Sequence, residues 1–395
     1  MSGQPAHIAE YGKAEFLQDD FIRRYSAMTG MEDSLIEEII QLKDSLLRNE
    51  PFIRKLEDWH ERLFVREQPF GEVFPENPKL GTPLGDSLRG VFYYLLLLSG
   101  VPLMIRRYRE QKWQDTLLHD MLRDFDIWAR HHKRNFGTPG LAWMAVGWIH
   151  SQIFMKLVGF GRLQFNVSMK FPAEIMAFRN RVSGQVQTLF AGKKRFTAAG
   201  LLDDLQEEPA AGSWNSIWEE TESCWRGNPV GADGFVRKEP AVLEKTEWEL
   251  KLKYGDPVIN IHIPESGPLT PEACLDSLYR VRDFFAEYFP DYAWKAFCCE
   301  SWLLDPQLAG ILPAKSNILA FQRGAYLVPF GGPADTVFRC FGVKGARDGV
   351  DSVQPQNSFQ QALSRFLKDG GHFHTGAGFL LREDLGKNEP YRRKA

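Results

Sequence analysis

The densest chemical signal in the chain is the stretch Val258-Ile-Asn-Ile-His-Ile-Pro-Glu-Ser-Gly-Pro-Leu-Thr-Pro-Glu272. Its first six residues read as a strand, its middle as a Pro/Gly turn and its end as a helix start. Thr270 is an N-cap residue type, and Pro271 suits the first helical position. A helix start of this kind presents unpaired backbone N–H groups and the positive end of the macrodipole, which is the chemistry of a phosphate cradle. The turn holds a single glycine, Gly267, and the carboxylates of Glu265 and Glu272 oppose an anion. An ordinary capped strand–helix connection is therefore the plain alternative. His262 lies in the strand, where a packed or hydrogen-bonded histidine is the usual case. His372 and His374 are two apart and share one face if their segment is a strand, as metal ligands often do. No Cys or Asp cluster accompanies them, and no metal is expected. Cys298 and Cys299 are adjacent rather than spaced C-x-x-C, and read as buried thiols. The cluster His131-His132-Lys133-Arg134 suits a helix C-terminus better than a nucleic-acid patch.

These residues must be held by two kinds of element. Up to about Val158 the pattern is helical. Asp33 to Asn49 carries Leu35, Ile36, Ile39, Ile40, Leu42, Leu46 and Leu47 at close to 3.6-residue spacing, and Phe52 to Arg66 continues after Pro51. A Pro/Gly-rich loop spans Gln68 to Gly85. Helices resume over Asp86 to Ser99, Pro102 to Trp128 and Pro139 to Val158. The tryptophans Trp113, Trp128, Trp143 and Trp148 fall on them, most as core and some as candidates to line a cleft against the second half. From Gly159 the character changes. Arg162 to Phe171 alternates as a strand, and Trp248 to Ile263 is strand-like. A long zone between them, Ala191 to Glu247, reads as irregular. A helix over Pro271 to Tyr288 precedes a short strand, Trp294 to Cys299. Ser316 to Tyr326 reads as helix, Asp335 to Val343 as strand and Ser358 to Lys368 as an amphipathic helix. The fold class is α+β: an all-helical N-terminal domain over 1–158, then a mixed α/β domain over 159–395.

Composition narrows the setting. The 395 residues carry 48 Lys plus Arg against 51 Asp plus Glu, a net charge of −3. That gives no electrostatic footprint for nucleic acid or a membrane surface, so neither is expected as a partner. Five cysteines, an odd number, argue for a reducing compartment. Met1 to Glu15 has no apolar core of a signal peptide. Val91 to Ile105 is too short to span a bilayer and contains Ser99, Gly100 and Pro102. A cytoplasmic protein is the expectation.

Several segments together resemble a known family. They are Phe160-Gly-Arg-Leu-Gln-Phe165, Trp225-Arg-Gly-Asn-Pro-Val230, Gly255-Asp-Pro-Val-Ile-Asn-Ile-His-Ile-Pro264, Cys299-Glu-Ser-Trp-Leu-Leu-Asp-Pro306, Ser316-Asn-Ile-Leu-Ala-Phe-Gln322 and Ser358-Phe-Gln-Gln-Ala362 before Gly370-Gly-His372. Over about Phe160 to Phe379 they resemble the GNAT-like C-terminal domain of bacterial acyltransferases. The N-terminal half looks like the helical N-acyltransferase N-terminal domain that precedes it.

The resemblance implies a GNAT-like mixed sheet flanked by helices and an acyl-CoA co-substrate, acetyl-CoA or another. It implies transfer of the acyl group to a small-molecule amine by direct attack on the thioester. The cofactor element then falls on Ile261, His262, Ile263, Ser266, Gly267, Leu269 and Thr270, with Asn317 on the later helix. Glu300 is the first choice of base, Glu265 the second, and Tyr326 the acid to the departing thiolate. This sequence departs from the family in two places. Its loop lacks the second glycine, and the tyrosine looked for seven residues after Asn317 is Gly324, with Tyr326 two further on. Those departures keep a second reading open, a GNAT-like ligand-binding module without turnover. A third reading, a metal-dependent hydrolase, would use His262, His372 and His374.

Overall fold

The computed structural model describes residues 15–78, 80, 85–204, 207–333 and 335–387, with the side chains of 168 and 333 outside the description. The signal-peptide expectation falls on residues 1–14 and part of the Pro/Gly loop on 79 and 81–84, outside the described residues. The chain divides into two compact units, one ending at Gly159 and one beginning at Phe160.

The first unit is helical. Its helices are α1 (Asp19–Ala27), α2 (Asp33–Leu46), α3 (Glu50–His60), α4 (Phe70–Val73), α5 (Asp86–Leu98), α6 (Val101–Glu110), α7 (Asp115–Phe136) and α8 (Trp143–Ile153). In α2 the buried set is Leu35, Ile36, Ile39, Ile40, Lys43 and Leu46, the stripe the spacing predicts. The helix expected from Pro102 to Trp128 is two helices, because Gln111 to Gln114 interrupt it. By length and composition alone, Asp86–Glu110 is apolar enough to cross a membrane. Within this unit its run from Val91 to Leu98 is buried on all sides, which is also the pattern of a central core helix.

The second unit is a mixed sheet over an antiparallel one. The main-sheet strands are β1 (Leu157–Phe160), in which the division between the units falls, β2 (Leu163–Lys170), β11 (Pro257–His262), β12 (Ala296–Ser301), β13 (Tyr326–Pro333) and β14 (His374–Leu381), in the order β1-β2-β11-β12-β14-β13. Between β2 and β11 come β3 (Ile175–Asn180), β4 (Val186–Phe190), β5 (Arg195–Phe196), β6 (Trp214–Asn215), β7 (Trp218–Glu220), β8 (Cys224–Val230), β9 (Ala241–Glu244) and β10 (Trp248–Lys253). Of these, β10-β3-β4-β8-β7 form the second sheet, with β9 beside β8. The zone expected to be irregular, Ala191 to Glu247, holds five short strands, β5 to β9, joined by longer non-strand connections. Its strands run two to seven residues, and Gly227 and Pro229 interrupt the period of β8.

Ala296, Cys298, Tyr326, Ala377, Phe379 and Leu381 of the main sheet share one core with Ile175, Ala177, Val186, Phe190 and Leu252 of the second. The main sheet's other face carries α9 (Pro271–Tyr288). Three further helices are α10 (Leu308–Ile311), α11 (Asn317–Arg323) and α12 (Thr336–Asp348), followed by α13 (Ser358–Lys368). The strand expected over Asp335 to Val343 is part of α12. Phe341 packs there with Leu308, Leu319 and Leu363, so tertiary contact overrides the local alternation, and Gly342 at φ 70° kinks the helix. Likewise Tyr326, expected to close a helix, opens β13.

Candidate active site

The site follows from the register of one parallel pair. β11 and β12 are joined from Val258–Ala296 to Ile261–Cys299 and no further. Beyond that point each strand keeps only its outer neighbour. His262 pairs with Gln164 of β2, while Glu300 and Ser301 pair with Ala377 and Gly376 of β14. A notch therefore opens at the carboxyl ends of the two strands, the usual place for a ligand in an open α/β sheet.

Strand alternation sorts the residues at the notch onto two faces. Ile261, Phe297 and Cys299 face the helices. With Cys274, Leu275 and Leu278 of α9 and Ala320, Phe321 and Gly324 of α11 they line a largely apolar cavity of about 640 Å³. Asn260, His262, Cys298 and Glu300 share the opposite face, and Cys298 Sγ approaches Asn260 Oδ1 at 3.5 Å. His262 and Glu300 each stand one residue past the last joined pair, so one carboxylate and one imidazole flank the notch.

The loop after β11 is held from both ends. Thr270 Oγ1 accepts the backbone N–H of Ala273 at 3.3 Å, capping α9 as the residue type predicts. Gly267 turns the loop at φ 56°, a left-handed conformation that favours glycine.

Burial sets the electrostatics. It raises the Glu300 carboxyl above the usual range and lowers His262 to about 4. His262 is therefore neutral at neutral pH, and its Nε2 donates to Asn166 Oδ1. The Cys274 thiol is pushed up to about 11 by burial, and Arg162 opposes that shift. Cys298 and Cys299 are raised by burial as well, so all three thiols remain protonated.

The expected site residues divide. Ile261 lines the cavity, and Leu269 and Thr270 lead directly into Pro271, which also lines it. Ile263, Ser266 and Gly267 belong to the loop, while Asn317 is exposed at the start of α11 and outside the cavity wall. Tyr326 is 2% exposed. Its hydroxyl donates to Asp384 Oδ2 at 3.3 Å, an oxygen that also accepts from Arg179 at 2.6 Å. Lys387 Nζ meets Asp384 Oδ1 at 3.0 Å. The phenol thus belongs to a buried ionic network, and the residue at the wall is Gly324. His374 gives its backbone N–H to Asp305 Oδ2 at 2.8 Å. Among the described residues no group of three or more His, Cys, Asp or Glu side chains is placed to hold a metal ion. Sequence reasoning did not single out Cys274, Leu278, Leu304, Phe321, Gly378 or Asp384. Cys274, Leu278, Leu304 and Phe321 look like core in their own segments, Gly378 and Asp384 carry no local signal, and only the packing of α9 and α11 on the sheet gathers them.

Comparison with known proteins gives a consistent picture. Residues 157–380 match the family model for the GNAT-like C-terminal domain, and residues 20–155 match that for the N-acyltransferase N-terminal domain. No match was found among the curated proteins. Among solved structures, the chain is similar to an acyltransferase in complex with decanoyl-CoA, with a TM-score of 0.59 and 21% identity over 95% of this chain and 90% of that one. An acyltransferase mutant in complex with octanoyl-CoA gives 0.60 and 21% over 96% and 91%. An acyltransferase in complex with decanoyl-CoA and teicoplanin gives 0.57 and 20% over 96% and 91%. At these identities the likeness shows the fold.

Proposed function

The chain belongs to the family of the GNAT-like C-terminal domain, and on that premise we propose that it moves an acyl group from acyl-CoA to a primary amine on a small-molecule acceptor. The observation that carries this reading is the notch between β11 and β12, with an apolar cavity on one face and Glu300 on the other. The pantetheine arm enters from the cavity side, where Ile261, Cys299 and Leu278 bury it. The thioester then reaches the notch with its carbonyl exposed to the opposite face. The solved complexes of similar fold hold octanoyl- or decanoyl-CoA, which supports a medium-length chain as donor here.

On that face the amine attacks the carbonyl carbon. The N–C bond forms, Glu300 takes the amine proton, and the C–S bond breaks as the tetrahedral oxyanion collapses. The burial that raises the Glu300 carboxyl brings its basicity nearer to neutral pH, which suits a base. His262, neutral and tied to Asn166, keeps the notch uncharged beside it. The CoA thiolate takes a proton from water, since Tyr326 is engaged with Asp384 and the wall residue is Gly324.

Calorimetric titration with CoA, acetyl-CoA and octanoyl-CoA tests the donor, and free-thiol release with a panel of amines tests the reaction. Micromolar binding that tightens with chain length, followed by amine-dependent thiol release, is the expected result. Binding without thiol release across the panel would favour a ligand-binding module, and no binding of any of the three would overturn the reading.

A further inference from the structure

Arg162 follows Gly161, which turns the chain between β1 and β2 at φ 61°. Its backbone N–H donates to Ser277 Oγ of α9 at 3.0 Å, and its Nη1 donates to the Pro264 carbonyl of the loop after β11 at 2.9 Å. Its Nε is buried and has no hydrogen-bond partner. Among the described residues it makes no ion pair, and burial works against its charge. A half-buried guanidinium without a counter-charge is costly, and proteins keep such a group where an anion arrives. The anion's place is bounded by the same contacts. Cys274 lines the cavity, and Pro264 begins the loop leading to α9. That loop, from Pro264 to Thr270, carries no cation of its own, and its one carboxylate, Glu265, is solvent-exposed. Glu272, in the first turn of α9, is exposed as well, so water and salt screen both acids.

We infer that Arg162, reaching in from a different turn and standing outside the cavity wall where Arg323 and Lys387 lie, is a cation that holds the phosphates of the acyl-CoA donor and so selects CoA thioesters over donors without phosphate. The inference rests on the reading given under Proposed function. A guanidinium suits the task because its planar N–H fork meets two phosphate oxygens at once. One Nη1 hydrogen is spent on Pro264, which fixes the group's orientation and leaves the other donors for the ligand.

The test compares octanoyl-CoA with octanoyl-pantetheine, which has the same acyl arm and no phosphates, by calorimetry on the wild type, Arg162→Gln and Arg162→Lys. Gln keeps an N–H for Pro264 and removes the charge. The expected result is at least tenfold weaker octanoyl-CoA binding in Arg162→Gln, octanoyl-pantetheine binding within twofold of wild type, and an intermediate Arg162→Lys. The slope of octanoyl-CoA affinity against salt also becomes shallower in Arg162→Gln. Equal weakening for both donors would make Arg162 a brace for the loop and overturn the inference, as would no change for either. Failure of the wild type to bind either thioester would instead overturn the acyltransferase reading itself.

Discussion

Replacing Glu300 by Gln removes the proposed base while preserving its volume. Glu300 lies on the face opposite the cavity, so octanoyl-CoA binding should stay within about twofold of wild type. General bases contribute roughly 10²- to 10⁴-fold. A half-buried carboxylate at an open notch belongs at the low end, which puts the fall in kcat at about 100-fold, or about 2.7 kcal/mol of barrier. The pH profile follows from the raised pKa. The base form appears as pH rises through the folded-state value, so wild-type activity is lost as pH falls through it, and the variant lacks that limb. The same shift fixes the sign of the stability effect. The folded state holds this proton more tightly than the unfolded chain, so stability from the group is present at low pH and lost as pH rises through the folded pKa. A permanently neutral Gln is then no less stable at neutral pH, and solvent screening holds any gain below about 1 kcal/mol. Thiol release with octanoyl-CoA and the best amine, run beside urea denaturation, measures both. A folded variant with unchanged kcat, or one that keeps the acidic limb, refutes the role. Loss of activity together with stability would return Glu300 to the scaffold.

Three other outcomes are expected. Ala320→Trp places an indole in the cavity between α9 and α11, so octanoyl-CoA binding should fall below detection by calorimetry while the circular dichroism spectrum stays that of the wild type. Asp384→Ala takes from Arg179, 18% exposed at its side chain, its buried partner and leaves it Glu383, and should cost about 2 kcal/mol in denaturant unfolding. Gly376→Ala would set a methyl group against the Leu304 carbonyl, where β14 passes the Trp302–Leu304 turn. It should cost about 2 kcal/mol or more, and a thermal midpoint equal to wild type would show that the turn can yield.

The helical half was legible because α2 keeps its period over whole turns and α5 is one continuous apolar run, and strand β11 with its capped helix because Thr270 and Pro271 mark the boundary. The second sheet was not legible. Strands such as Trp218–Glu220 are too short to show a period, and they exist because Phe178, Leu189 and Trp225 bury one another across them. The site was half legible. Glu300 and His262 stood out by type, but their meeting at one notch depends on a parallel register between segments nearly forty residues apart. Tyr326 was attractive as a phenol near the right helix, yet the partner that claims it, Asp384, is nearly sixty residues downstream.

The early end of the β11–β12 ladder also bears on where the sheet leaves backbone edges free. Past Ile261 and Cys299 two stretches of backbone face each other with their inner edges unjoined. On the rim of a sheet such edges invite another chain to add a strand, the first step of aggregation. Here they are recessed, since β2 closes one flank and β14 the other. The free edges of this ladder thus lie inside the sheet, between β2 and β14, rather than at its rim.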